Sequence, residues 1–298
     1  MKKITIFTPT YNRAYCLREL YESLLLQKRD CFVWLVIDDG STDNTKVLMD
    51  EFINEKLIEI RYFIQENAGK MAAHNTGVQL CDTELFMCLD SDDTLLPNSI
   101  FALCTLWDSV KNTESLAGIV APKKLINELG KDISSPFPNV TYSTLSGLYK
   151  LGYNGETALA FRTEILKKYP FKIFHGEKFI PEGSVYKKID KFYKLAVLNI
   201  PIMLCLYKTD GYTCNLIKHQ VNSPKSMSYT YVTILEYSDL RFLKKIKYSI
   251  NYVAYSLIAG YSRSQILKDI SHKTFINLLY PFGWIQKKRL LYKAKRKH

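Results

Sequence analysis

Short apolar runs end abruptly in polar clusters four times within the first hundred residues. Lys3 to Thr8 (KITIFT) stops at Pro9, and the run opening at Cys31 (CFVWLVI) breaks at Asp38-Asp39-Gly40-Ser41. Ile58 to Ile64 (IEIRYFI) ends at Gln65, and Glu84 to Leu89 (ELFMCL) ends at Asp90. Between these runs, Tyr15 to Gln27 carries leucines at helical spacing, NTKVLMDEFIN reads as a second helix, and Gly69 to Leu80 as a third. Continuous apolar strands alternating with amphipathic helices predict a mostly parallel sheet covered by helices on both faces.

In an open sheet of that kind, ligands bind outside the carboxyl ends of the strands, near the point where strand order reverses. Each polar cluster falls at such an end: Thr8 to Arg13, Asp38 to Asp43, Gln65 to Lys70 and Asp90 to Asp93. The last of these crowds Asp90, Asp92 and Asp93 into four residues. A divalent cation relieves such crowding; hard carboxylate oxygens suit Mg²⁺ or Mn²⁺, which complete their shell with water and phosphate oxygens. A phosphate-bearing ligand follows. The competing reading is a solvated acidic turn that caps a helix over TLLPNSIFAL.

At 298 residues and 47% hydrophobic, the chain has enough apolar material for a large core. Its seven cysteines form no CxxC pair, which fits reduced thiols, and the N-terminus MKKITIFTPTYNR makes a poor secretory signal. Both point to the cytoplasm. The formal charge of +12 is not evenly spread: Arg241 to His298 holds fourteen Lys/Arg against the single acid Asp269, while Met1 to Leu240 holds 27 basic and 28 acidic residues. No GxGxxG follows the first strand, and P-loop, HExxH and GxSxG motifs are missing, which sets aside several nucleotide-dependent and hydrolytic classes.

Taken in order and spacing, TPTYNR, VIDDGSTDNT, ENAGKMAAHNTG and LDSDD resemble the family 2 glycosyltransferases of the GT-A fold, closely over about the first hundred residues and more weakly to about residue 230. The resemblance implies an α/β fold: a Rossmann-like mixed, mostly parallel sheet flanked by helices, over residues 1–230. A nucleotide-binding half would span 1–110, an acceptor half 111–230, and a helical basic extension 231–298. It implies a nucleotide-sugar donor, a UDP-sugar, with Mn²⁺ or Mg²⁺ at the Asp-x-Asp motif. Tyr11 would pack on the uracil, and Asp39, with Asp38 as the adjacent candidate, would accept its imide hydrogen bond. Asp90 would contact the ribose and Asp92 the metal. Asn67, Gly69 and Lys70 would lie near ribose and phosphates, with Thr8, Asn12, Arg13 and Ser91 completing the donor site. Lys70 and His74 also have a plain surface reading, which is preferred for His74.

Inverting transfer to a saccharide or lipid-linked acceptor needs a general base, which the first hundred residues do not spare. FHGEKFIPEGSVYKKI resembles the family's acidic segment, with Glu182 as the base and Glu177 as the fallback; Glu182-Gly183 stands where the family has Glu-Asp. The rival for Glu182 is a favourable charge in the first turn of a helix. Glu156 has an acceptor-side or donor-sugar reading, and Tyr207, Lys208 and Asp210 a diphosphate-side reading. A protein that keeps this fold but only binds nucleotide sugars or scaffolds is the non-enzyme alternative.

The tail interleaves Tyr280, Phe282 and Trp284 with lysines, and its longest uncharged stretch, Tyr248 to Ser262, is shorter than the roughly 20 residues of a span. Such a segment suits the surface of an anionic membrane, here the inner face of the cell membrane. Nucleic acid is disfavoured because the rest of the chain is near neutral and lacks a binding motif. A third reading has Arg241 to Lys273 packing as helices within the protein.

Overall fold

The computed structural model describes residues 2–28, 30–207, 215–268 and 270–296. The chain divides into two compact units, Met1–Pro170 with Phe192–Thr209, and Phe171–Lys191 with Asp210–His298.

The first unit opens with β1 (Ile4–Thr10), α1 (Ala14–Leu25), β2 (Phe32–Asp38), α2 (Thr45–Glu55), β3 (Ile60–Ile64), α3 (Lys70–Leu80) and β4 (Leu85–Cys88). These follow the apolar runs. β5 (Asp93–Leu95), α4 (Ser99–Val110), β6 (Leu116–Asn127), β7 (Tyr142–Ser143), α5 (Leu145–Lys150), β8 (Thr157–Arg162), α6 (Thr163–Lys168), β9 (Lys194–Val197) and β10 (Met203–Tyr207) complete it. Among the described residues ten strands join one sheet, with the order β3-β2-β1-β4-β8-β6-β10-β5 and β9 with β7 on a branch from β6. β3, β2, β1 and β4 are mutually parallel, whereas β8 runs antiparallel to both β4 and β6.

β2 is buried along its whole length, the mark of a central strand with helices on both faces. On one face Trp34 and Phe52 close around Tyr21, which stacks on Phe52 with centroids 4.0 Å apart. On the other, Gly77 lets α3 approach Phe7 so closely that a Cβ there would sit 2.6 Å from the Phe7 ring. Pro9 does not end the first strand as expected; β1 runs on to Thr10. Its pairing with β4 stops at Phe7 while that with β2 continues to Thr10, so the N–H that proline lacks is not demanded on the open side.

The second unit contains α7 (Gly183–Phe192), α8 (Leu216–Asn222), α9 (Pro224–Tyr237), α10 (Phe242–Ile258), α11 (Arg263–Lys268) and α12 (Lys273–Arg296). Leu235, Tyr252, Val253, Ile266, Ile270 and Ile276 form one buried cluster, so Arg241 to Lys273 packs as helices within this unit. α12 crosses α10 at Gly283, where a Cβ would meet Val253 Cγ1 at 2.3 Å. No helix of the described residues is long and apolar enough to cross a membrane.

Candidate active site

Strand order reverses between β1 and β4, because β2 and β3 extend the sheet on one side of β1 and β4 on the other. Thr10 lies in register with Asp38, and Asp38 with Ile64, so the strands that precede three of the polar clusters end in one row. This is the crevice in which an open α/β sheet binds ligands.

Two of the loops are joined by Asn12, which adopts the left-handed conformation (φ 53°) that Asn tolerates better than most residues. Its side-chain oxygen accepts the backbone N–H of Thr42 (2.7 Å) and Asp43 (3.3 Å), and its own N–H donates to Ser41 Oγ (2.9 Å). Asp43 accepts the Ala14 N–H at the start of α1 (3.1 Å) and the N–H and hydroxyl of Thr45 (3.0 and 2.6 Å). Burial pushes its carboxyl up, but these bonds outweigh that and hold it below the ordinary range. Asp38 is buried and accepts from the Ser41 N–H (2.7 Å) and the Tyr62 hydroxyl (2.6 Å).

Asp39 ties the β2 loop to the approach of α3. Oδ1 accepts from Gln65 Nε2 (2.7 Å) and the Ala68 N–H (2.9 Å), and Oδ2 from the Gly69 N–H (2.7 Å). Gly40, at φ 82°, makes the turn; a Cβ on it would lie 3.2 Å from both the Asn67 nitrogen and the Gln65 oxygen.

The carboxylates past β4 are held differently, each by a side-chain cation. Lys70 Nζ lies 2.8 Å and 2.9 Å from the two oxygens of Asp90. Burial raises the Asp90 carboxyl, yet Lys70 and Lys123 outweigh it and bring it to about 2. Arg13 Nη1 meets Asp92 at 3.2 Å and donates to the Tyr15 hydroxyl at 2.8 Å. Asp93 is buried against Lys123 at 3.0 Å, and Lys123 also lies 3.5 Å from Glu156. Burial lowers the Lys123 ammonium's pKa, but Asp93 and its neighbours more than reverse that, and the net shift is upward.

The helix-cap reading of this cluster fails: Asp93–Leu95 is the strand β5, and α4 starts at Ser99 behind Asn98. Paired with β10, that strand takes Asp93 out of solvent. Among the described residues, no three His, Cys, Asp or Glu side chains group to hold a metal ion. Asp90 and Asp92 still suit Mg²⁺ or Mn²⁺, because such ions take one or two carboxylates and draw the rest of their shell from phosphates and water.

Of the remaining expected donor-site residues, Tyr11 is 48% exposed, Asn67 is half-buried, Gly69 and Ser91 are buried, and Thr8 is fully buried with its hydroxyl accepting the Trp34 indole N–H at 3.0 Å. His74 is not a surface residue. It is buried edge-on against Phe7 (5.7 Å) and Phe86 (5.2 Å), and burial with the charge of Lys70 lowers its pKa to about 3.

The two base candidates lie in the second unit. Glu182 is exposed immediately before α7, its carbonyl accepting the N–H of Val185 and Tyr186, both at 3.0 Å. Glu177 is buried, its carboxylate accepting the N–H of Lys225 (2.9 Å) and Ser226 (2.7 Å) in the first turn of α9. That places Glu177 as a cap on a helix N-terminus. The Tyr207 side chain, Lys208 and Asp210 lie outside the described residues. Lys123 is the residue that sequence reasoning missed; the signal was its place among apolar residues in the strand-like run GIVAPKKLIN.

Comparison with known proteins gives this crevice a family. The model of glycosyl transferase family 2 matches residues 5–170, more than half of the chain. The chain belongs to this family. The family 2 chain is 34% identical over 123 residues to the teichoic acid poly(glycerol phosphate) polymerase of Staphylococcus epidermidis, a match covering 41% of this chain and 16% of that protein. It is 33% identical over 141 residues to chondroitin synthase of Escherichia coli, covering 47% of this chain and 20% of that one. The matches thus span a fifth or less of those two relatives. Among solved structures, S. aureus TarS 1–349 in complex with UDP-GlcNAc superposes with a TM-score of 0.61 at 16% identity, over 97% of this chain and 81% of TarS 1–349. The mannosyltransferase PcManGT of Pyrobaculum calidifontis, in complex with GDP-Man and Mn²⁺, superposes with a TM-score of 0.56 at 16% identity, over 99% of this chain and 86% of that one. These likenesses establish the GT-A-like fold.

Proposed function

We propose that this family 2 protein is an inverting, metal-dependent hexosyltransferase that moves a sugar from a UDP-sugar to a saccharide or lipid-linked acceptor in surface-polysaccharide synthesis. The observation that carries the reading is the pair Asp90 and Asp92 at the strand-order reversal, held by the side chains of Lys70 and Arg13. Side-chain cations can exchange one anionic partner for another, and a nucleotide diphosphate is such a partner. Similar solved structures hold UDP-GlcNAc and, with Mn²⁺, GDP-Man, which supports a nucleotide-sugar donor and a divalent ion.

In this reading the exposed Tyr11 ring packs on the uracil, and Asp39 Oδ2, which takes one N–H where Oδ1 takes two, accepts the imide N–H. Asn67 and Gly69 line the nucleotide and Asp90 meets the ribose. Thr8, Asn12, Asp38 and Ser91 hold the crevice in shape. Asp92 would hold Mn²⁺ or Mg²⁺, which would supply charge neutralisation for the diphosphate leaving group. Arg13 and Lys70 turn to the phosphates. Glu182 accepts the proton of the acceptor hydroxyl as its oxygen attacks the anomeric carbon in line, and the electron pair of the broken C–O bond leaves on the diphosphate.

α12 also carries seven Lys/Arg and no acid, and exposes Leu278, Phe282, Ile285 and Tyr292, which suits peripheral binding to an anionic membrane. Truncation before Gln286 should lower co-sedimentation with anionic vesicles, and unchanged sedimentation rejects this part. Glu182→Gln tests the chemistry. UDP affinity should stay within about twofold while transfer falls roughly 10²–10⁴-fold, the range of general base catalysis. Wild-type turnover in that variant overturns the assignment of Glu182.

A further inference from the structure

The charge of the protein is partitioned by unit. Of the 41 Lys/Arg and 29 Asp/Glu, 21 and 7 fall in the second unit, a formal +14, which leaves 20 and 22, a formal −2, in the first. Within the second unit two of these lysines converge on one tyrosine. Lys188 Nζ lies 4.8 Å and Lys172 Nζ 5.0 Å from the ring centroid of Tyr229, so the two ammoniums can be no farther apart than the sum, 9.8 Å. Lys188 also donates to the Tyr229 hydroxyl.

Each ammonium touches a second ring as well: Lys172 that of Phe174 at 5.2 Å, and Lys188 that of Tyr237 at 5.9 Å. Phe174 in turn packs against Tyr229 with centroids 6.0 Å apart. Among the described residues, neither ammonium lies within 4.0 Å of a carboxylate, in contrast to Lys70, Lys123 and Arg13 of the first unit. The cluster is open to solvent, with Lys172 and Tyr237 exposed and Lys188, Phe174 and Tyr229 half-buried.

Cation–π contact stabilises an ammonium and leaves its charge in place. Two like charges on one ring, in a unit of strong positive field, therefore attract an anion. Lysine engages phosphate as a point charge, and aromatic faces beside it offer apolar area to the C–H face of a sugar or polyol. We infer that Lys172, Lys188 and Tyr229, with Phe174 and Tyr237, form a binding site for a phosphate-bearing saccharide or polyol chain. That chain is the acceptor, so the inference rests on the glycosyl-transfer reading and narrows its acceptor to an anionic one. The same phosphodiester chemistry is offered by a phospholipid headgroup, and the test separates the two sources.

The probe is a short phosphodiester-linked glycerol oligomer, titrated calorimetrically into the full chain alongside a neutral glycerol oligomer and vesicles of phosphatidylglycerol. Binding of the charged oligomer and not the neutral one is expected. Lys172→Met should weaken it by about 10-fold and Lys172→Met/Lys188→Met by more, with Lys188→Arg retaining it. Lys172 is exposed, so its variant reads out binding even where replacement of the half-buried Lys188 disturbs packing. Equal affinity in Lys172→Met and wild type overturns the site. Equal affinity for the neutral oligomer overturns the anion, and vesicle binding that depends on both lysines without oligomer binding overturns the acceptor. UDP titrated into the same samples keeps the two readings apart: its affinity should not change between variants, and its failure to bind wild type would refute the donor assignment alone.

Discussion

Two groups of carboxylates line the crevice of the first unit, and they are held by different kinds of partner. Asp38 at the end of β2, and Asp39 and Asp43 after it, accept backbone N–H groups of Ser41, Ala68, Gly69, Ala14 and Thr45. Asp90, Asp92 and Asp93, around β4 and β5, are met by Lys70, Arg13 and Lys123. A backbone donor cannot leave without unmaking the loop, whereas a lysine or arginine side chain can rotate to another anion. The first group builds the crevice, and Asp90 and Asp92 of the second are the pair on which the proposed donor site rests. Asp93 stands between, because its cation is as buried as it is.

The sharpest way to break this distinction is Asp92→Ala. It should remove the metal-dependent part of UDP binding, a loss of at least about 100-fold, while stability stays within roughly 0.5 kcal/mol as for other exposed positions. A variant with metal-strengthened UDP affinity intact sinks the metal role. Lys123→Met comes next. It strands Asp93 in the sheet, and removing one member of a buried pair costs about 3–5 kcal/mol. Chemical denaturation measures this, and the double variant Lys123→Met/Asp93→Asn should recover part of the loss. Additive losses would show that the pair does not act as a unit.

Asp39→Asn is the smaller structural test. It leaves N–H groups of Ala68 and Gly69 poorly paired, and about 1–3 kcal/mol should be lost. Urea denaturation with no shift of midpoint would contradict the loop-tying role. At neutral pH the smallest effect concerns His74, whose folded pKa of about 3 lies below the ordinary 6.5. The unfolded chain takes the proton first, so stability falls as pH drops from 6.5 toward 3, by at most about 1.4 kcal/mol per pH unit. His74→Leu should flatten that slope, and an identical pH dependence would exclude His74 as its source.

Much of the crevice was legible because it is local. Apolar strands stop where Asp38 and Asp90 begin, and four motifs in order identify the family without any long-range pairing. Lys123 was not legible for the opposite reason: its role depends on β5 and β10 bringing Asp93 beside β6, contacts that couple residues far apart in sequence. His74 was misread because helical spacing from Lys70 marks a face but does not say that Phe7 and Phe86 cover it. Glu177 and Glu182 look alike as isolated acids, and only the fold shows one of them bound to the start of α9.

The proposed role of Asp90 and Asp92 is in a metal-dependent nucleotide-sugar site. Calorimetric titration of the purified protein with UDP, GDP and CMP, each with and without Mn²⁺, tests it most directly. Binding of UDP over the other two, strengthened by Mn²⁺, is expected. No binding of any nucleotide under either condition would contradict it, and would leave a protein that keeps the family's fold without its donor.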